Sequence, residues 1–149
     1  MNIRIRPTGI LIEDGRILLV KQDVTSARHW ALPGGRQEVG ETLDQCLVRE
    51  LKEETGLDIR VGDLLYITDR ILPDSHVVHI AFLVERTGGS LLTEEELRTK
   101  KETVRKAEMV PLDRLAEYGF TLKWHELAKS GFTGRGSYEG DFMKFYGGQ

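Results

Sequence analysis

Three glutamates, Glu50, Glu53 and Glu54, stand three and four residues apart within GRQEVGETLDQCLVRELKEETGL, residues 35–57. On a helix that spacing projects the carboxylates from one face, where like charges repel by about a few tenths of a kcal/mol per pair. Converging carboxylates are also the donor set of a hard divalent cation such as magnesium, which takes oxygen ligands and keeps positions for water and substrate phosphates. A bound cation turns the repulsion into affinity. Glutamates on helices more commonly form a solvated face, so the residues leading into the helix decide between the two readings. Here they are ALPGG, in which Pro33 fixes a turn and Gly34 and Gly35 let the backbone approach a phosphate closely. Arg49 adjoins the acidic face and can pair with one acid, while Glu41 can add a carboxylate or orient a neighbour.

These side chains need a helix and a sheet to hold them. Between 42 and 55, Leu43, Cys46, Leu47 and Leu51 recur at helical spacing, Thr42 with Gln45 makes a capping box, and Gly56 supplies a stop. Upstream, IRIRPTG followed by ILI suggests a strand, Asp14-Gly15 a turn, and ILLV at 17–20 a returning strand, so a hairpin is expected. Residues 23–35 read as a loop. Residues 59–61 and 64–68 look extended, and VVHIAFLVE at 77–85 is the most strand-like run, expected at the centre of a sheet. Gly88-Gly89 makes a turn before a short strand at 90–92, residues 93–106 form a solvated loop or partly helical excursion, and 109–110 resume an extended path. Short helices follow at 111–118, closed by Gly119, and at 122–129, closed by Gly131. The glycine-rich, aromatic tail 131–149 receives no assignment. Strands on both sides of a helix, with hairpin connections, give an α/β domain: a mixed sheet with flanking helices.

The chain of 149 residues is sized for one domain, 1–149, with 40% apolar and 30% charged residues. No run approaches the ~18 apolar residues of a membrane helix, and MNIRIRPTG lacks the apolar stretch of a signal peptide, so a cytoplasmic location and no membrane partner are expected. A formal charge of −3 leaves no basic field for a long nucleic acid. A small phosphorylated molecule, held by a few arginines and a cation, fits better. The lone Cys46, set among leucines, reads as a small buried side chain and not as a catalytic thiol.

The stretch 35–57 matches G-x5-E-x7-R-E-U-x-E-E-x-G-U, with U a bulky aliphatic residue, at Gly35, Glu41, Arg49, Glu50, Leu51, Glu53, Glu54, Gly56 and Leu57. It resembles the signature of the Nudix hydrolase family without a departure, and the surroundings extend the resemblance over 3–118. The resemblance implies an α/β/α sandwich and metal-dependent hydrolysis of the pyrophosphate bond of a nucleoside diphosphate derivative, with Mg2+ or Mn2+ as cofactor. It also implies roles: Glu50, Glu53 and Glu54 as metal ligands, Gly35 as a ligand through its carbonyl, and Arg49 as the residue orienting a glutamate. Glu53 or Glu54 can also accept a proton from the attacking water. Some members take the base from a loop beyond the signature, where Glu94, Glu95, Glu96, Glu102 and Glu108 lie, and Glu102 is favoured. Many relatives pair, which adds a homodimer to the implied partners; the aromatic run at 142–146 can pack across such a boundary or fold back on its own chain.

Substrate identity is carried outside the signature. A proline about 16 residues beyond it is associated in the family with ADP-ribose hydrolysis, and Pro73 stands there. Arg28 and Arg36 flank the entry loop and can contact phosphates, while Trp30, Tyr66, Phe82 or Arg70 can stack on or edge a base. His76 and His79 lack the spacing of a metal pair. ADP-ribose or a nucleotide sugar is therefore the favoured substrate. The alternatives are a nucleoside triphosphate pyrophosphohydrolase of the sanitising type and a non-catalytic sensor of a nucleotide metabolite; the second sits poorly with a full set of signature carboxylates.

Overall fold

Asp14 and Gly15 both take positive φ (50° and 72°) and reverse the chain between strands β2 (Ile12–Glu13) and β3 (Arg16–Gln22). The hairpin is confined to this pair. Strand β1 (Ile3–Ile10) leaves it and runs parallel to β6 (Ser75–Gly89), because the chain crosses from one sheet to another at Leu11. The computed structural model describes residues 2–22, 30–100 and 103–147, with only the backbone course for 137–141.

Two four-stranded sheets result. In the first, β6 lies between β1 and the antiparallel β5 (Leu57–Leu72), and β8 (Ser137–Asp141) adds to β5 in parallel. In the second, β3 pairs antiparallel with β2, with β4 (Trp30–Ala31) and with β7 (Val104–Pro111). The run at 77–85 occupies the internal position expected for it. The extended pieces at 59–61 and 64–68 belong to one long strand, β5, which absorbs its turn signals as register shifts near residues 58–66.

Helix α1 (Leu43–Thr55) begins at Thr42 with both halves of its capping box formed and ends on Gly56 at φ 85°. Such a cap contributes about 1 kcal/mol. Its Cys46, Leu47 and Leu51 are fully buried, and the two leucines pack with Leu11, Leu18, Leu57 and Val84 on one side of β3. On the other side Ile17 and Leu19 join a larger core with Tyr66, Trp124, Phe145 and Tyr146. Helices therefore flank the sheets on both sides, an α/β/α sandwich.

Residues 90–93 form no strand: the Leu92 N–H is taken by Thr55 O at 2.9 Å, so this segment closes over the end of α1. A short helix, α2 (Glu94–Arg98), follows behind its own capping box from Thr93 and Glu96. The segment after Pro111 is a 3₁₀ helix (Leu112–Tyr118), followed by α3 (Leu122–Lys129) as the spacing suggested. The tail, which carried no expectation, supplies β8 and a final helix, α4 (Phe142–Tyr146). Among the described residues no helix is long and apolar enough to cross a membrane.

Candidate functional site

Arg49 is the hub of the acidic face. Its Nε and Nη2 donate to the two Glu41 oxygens at 3.1 and 2.7 Å, a bidentate pair. Its Nη1 donates to Glu50 Oε1 at 2.8 Å and to Glu53 Oε2 at 3.4 Å, and Nη2 reaches Arg36 O at 3.4 Å. One guanidinium therefore organises three carboxylates, where the sequence suggested one. The pairing holds the Glu41 carboxyl down at about 2, and it raises the Arg49 guanidinium in turn. Glu41 is thus ionised at any neutral pH and keeps Arg49 in place.

Glu54 points elsewhere. It is only 5% exposed, and its Oε1 accepts from the Gly34 N–H at 2.8 Å, which ties the entry loop to α1. Gly34 is itself laid against β1: its bridge to Thr8 and the bonds Gly9 N–H to Pro33 O and Gln37 N–H to Ile5 O make residues 33–37 an extra edge. A Cβ on Gly34 would lie 2.2 Å from Pro7 O, and one on Gly35 would lie 2.1 Å from Glu50 Cδ. Gly34 is required by the close approach of the β1 backbone, whereas at Gly35 the obstacle is the movable end of the Glu50 side chain. The Gly35 carbonyl faces α1, where the Cys46 thiol donates to it at 3.6 Å. Burial pushes that thiol up to about 12, consistent with an inert structural cysteine.

A hard divalent cation suits this donor set. Glu50 and Glu53 already converge on one positive centre, Arg49 Nη1, and the surrounding donors are carboxylate and carbonyl oxygens. Among the described residues no three acids, imidazoles or thiols are yet close enough to form a cage. Glu54 is held by Gly34, and the guanidinium stands between the other two.

The remaining candidates scatter. Arg36 is exposed and lines a groove of about 750 Å³ with Arg4, Gln37, Asp74 and Ser75; exposed Pro73 forms the hairpin tip beside it. Arg70 is half-buried on β5. Tyr66 is inaccessible to a stacking base: it is 0% exposed, and its hydroxyl accepts from Trp124 Nε1 at 3.0 Å and meets the Tyr146 hydroxyl. A ring buried in the core on both faces cannot stack on a ligand. Phe82 packs against the α1-side core, and Trp30 stands edge-on to Tyr118. His76 pairs with Asp69 at 2.8 Å, and His79 lies buried against Phe142. Glu108 belongs to strand β7, beside Lys106, and Glu96 is engaged in capping α2. Arg28 and Glu102 lie outside the described residues. Sequence reasoning missed Gly34 as a donor, although the doublet GG was there to read. It also missed Lys100, whose Nζ donates to Glu53 O at 2.9 Å and anchors the end of α1.

A layered α/β fold with a carboxylate-rich helix fed by a glycine loop defines a recognisable class. The chain belongs to the NUDIX family: the NUDIX domain model matches residues 4–130. It is 36% identical over 115 residues to an ADP-ribose pyrophosphatase of Methanocaldococcus jannaschii, covering 75% of this chain and 64% of that protein. It is 39% identical over 87 residues to an 8-oxo-dGDP phosphatase of Homo sapiens, covering 58% of this chain and 26% of that one. The matches thus span less than two thirds of these relatives' lengths. Among solved structures, a MutT protein from Bacillus halodurans superposes with a TM-score of 0.70 over 92% of this chain and 88% of its own, at 22% identity, a likeness of fold.

Proposed function

We propose that the protein is a metal-dependent pyrophosphohydrolase that cleaves the pyrophosphate bond of a nucleoside diphosphate derivative, with ADP-ribose or a nucleotide sugar favoured. The observation that carries the proposal is the Arg49 hub, which presents Glu50 and Glu53 together beside the closely approached Gly34-Gly35 backbone. Mg2+ or Mn2+ would be held by Glu50 and Glu53, with Glu54 as the expected third carboxylate, and would supply neutralisation of phosphate charge and acidification of the attacking water. Arg49 and Glu41 fix the orientation of Glu50 and Glu53. Glu53, with its side chain 40% exposed, is the acid best placed to take a proton from water. Glu54 keeps the entry loop against the helix through Gly34.

The likeness to an ADP-ribose pyrophosphatase and the position of Pro73 support the favoured substrates. A sanitising pyrophosphohydrolase acting on damaged nucleoside triphosphates is the second reading, supported by the likeness over 55 residues to an 8-oxo-dGTP diphosphatase of Proteus vulgaris. The two differ in products. With magnesium or manganese, incubation with ADP-ribose, nucleotide sugars and nucleoside triphosphates, followed by chromatography, is expected to yield a nucleoside monophosphate and a phosphorylated partner. Release of inorganic pyrophosphate from a triphosphate identifies the second reading, and cleavage of nothing refutes both.

Gly35→Ala tests the site directly. The new methyl would occupy the position of the Glu50 carboxylate, so Glu50 must swing away from Arg49. Activity is expected to fall about 10- to 100-fold, as when an orienting partner is lost. Thermal unfolding should shift little, because the clash is with the free end of a side chain. Unchanged kinetics would remove Glu50 placement from the mechanism.

A further inference from the structure

The sheet face beside Gly34 carries donors that the proposed chemistry does not use. Along β1, Arg4, Arg6 and Thr8 alternate onto one side. Cross-strand partners share a face, and the register sets Arg6 beside His79 and Thr68, Thr8 beside Ala81 and Tyr66, and Arg4 beside Val77 and Arg70. Arg6, Thr8, Thr68 and Arg70 therefore share one face. Thr8 is 2% and Thr68 0% exposed, and among the described residues the hydroxyls of both, with Arg70 Nε, are buried without a hydrogen-bond partner. Native proteins pair almost all such groups, so three orphans on one face require an explanation.

All three can donate, and the arginine can only donate. The Arg70 guanidinium stands 5.5 Å over the Phe142 ring, and its protonated form is disfavoured by burial and by the nearby charge of Arg6. Among the described residues neither arginine has an acidic partner; Arg6 donates instead to Gly34 O at 3.1 Å. Gly34 thus joins the two regions, its N–H on Glu54 and its carbonyl on Arg6.

We propose that the Arg6–Thr8–Thr68–Arg70 face binds an anionic, acceptor-rich group of the substrate, a carboxylate or a phosphate, at the end away from the cleaved anhydride. This rests on the hydrolase reading above. Such a group supplies the acceptors that the threonine hydroxyls and Arg70 lack, and its charge relieves the repulsion between the two arginines. Planar guanidinium forks suit both oxyanions.

The test uses matched pairs on the full chain: UDP-glucuronate against UDP-glucose for a carboxylate, and ADP-ribose 2′-phosphate against ADP-ribose for a phosphate. Steady-state kinetics and calorimetric binding to metal-free protein are read together. The acidic member of one pair is expected to be favoured tenfold or more, chiefly in KM, and the pair that shows it identifies the source. Arg70→Met should bring the ratio close to one. Thr68→Val should lower it several-fold without lowering the melting temperature, because the hydroxyl removed has no partner among the described residues. Equal treatment within both pairs, or a preference that survives both variants, overturns the proposal. Arg70-dependent binding preference without cleavage would uphold this inference and refute the hydrolase reading; cleavage without preference would do the reverse.

Discussion

Glu53→Gln is expected to lower kcat by on the order of 10²- to 10⁴-fold, the range that general acid–base groups contribute, with the fold intact. The glutamine keeps the length of the side chain and removes its charge. Among the described residues that charge makes one bond, from Arg49 Nη1 at 3.4 Å, and the Arg49 guanidinium stays held by Glu41 and Glu50. The bond that anchors this end of α1 comes from Lys100 to the Glu53 carbonyl, which the substitution leaves alone. Stability should therefore change by no more than about 0.5 kcal/mol, as for a surface position. Glu54→Gln differs in kind: Glu54 is buried, and the amide can keep the Gly34 bond only in one of its two orientations. Kinetics and thermal melts of the two variants separate a chemical from a positional role. Full activity in Glu53→Gln would exclude Glu53 as the base.

The difference between these neighbouring acids marks how far the sequence could be read. Helix α1 was legible because its signals are local: Thr42 and Gln45 cap each other, the leucines recur at helical spacing, and Gly56 takes the conformation that ends the helix. The acidic face followed from the same periodicity. Spacing alone could not say that Glu54 turns toward Gly34 while Glu50 and Glu53 turn toward Arg49, because that choice is made by a loop 20 residues away. Tyr66 went astray for a related reason. A strand offers two faces, and with both sides of β5 covered an aromatic residue cannot be assigned to ligand or core from alternation. The segment 90–92 has strand-like residues, yet its hydrogen bond goes to the end of α1. Strand β8 and helix α4 were illegible because each has five residues, too few for periodicity, and tertiary contacts hold them in place.

Those contacts make the tail part of the core. Tyr146→Ala is expected to destabilise the protein by about 3–5 kcal/mol, the usual cost of deleting a large buried aromatic side chain. Tyr146 is 2% and Phe145 1% exposed, and Tyr146 packs against Tyr66, Phe120 and Trp124 while its hydroxyl meets that of Tyr66. Its backbone is bound as firmly, with Thr121 N–H donating to Tyr146 O at 2.8 Å and Thr121 Oγ1 to Phe145 O at 2.7 Å. The cost is a large share of the ~5–15 kcal/mol that separates folded from unfolded domains, so urea midpoints should fall steeply. Tyr146→Phe keeps the ring and removes the hydroxyl, and should cost about 1–3 kcal/mol by leaving a buried polar contact incomplete. The family model ends at residue 130, yet Phe142 lies over both His79 and Arg70, so the same tail roofs the face assigned to anion recognition. Loosening α4 should therefore raise KM in Tyr146→Phe before the fold is lost. An Ala variant as stable as the unmodified chain would show that the tail is an appendage and not a wall of the core.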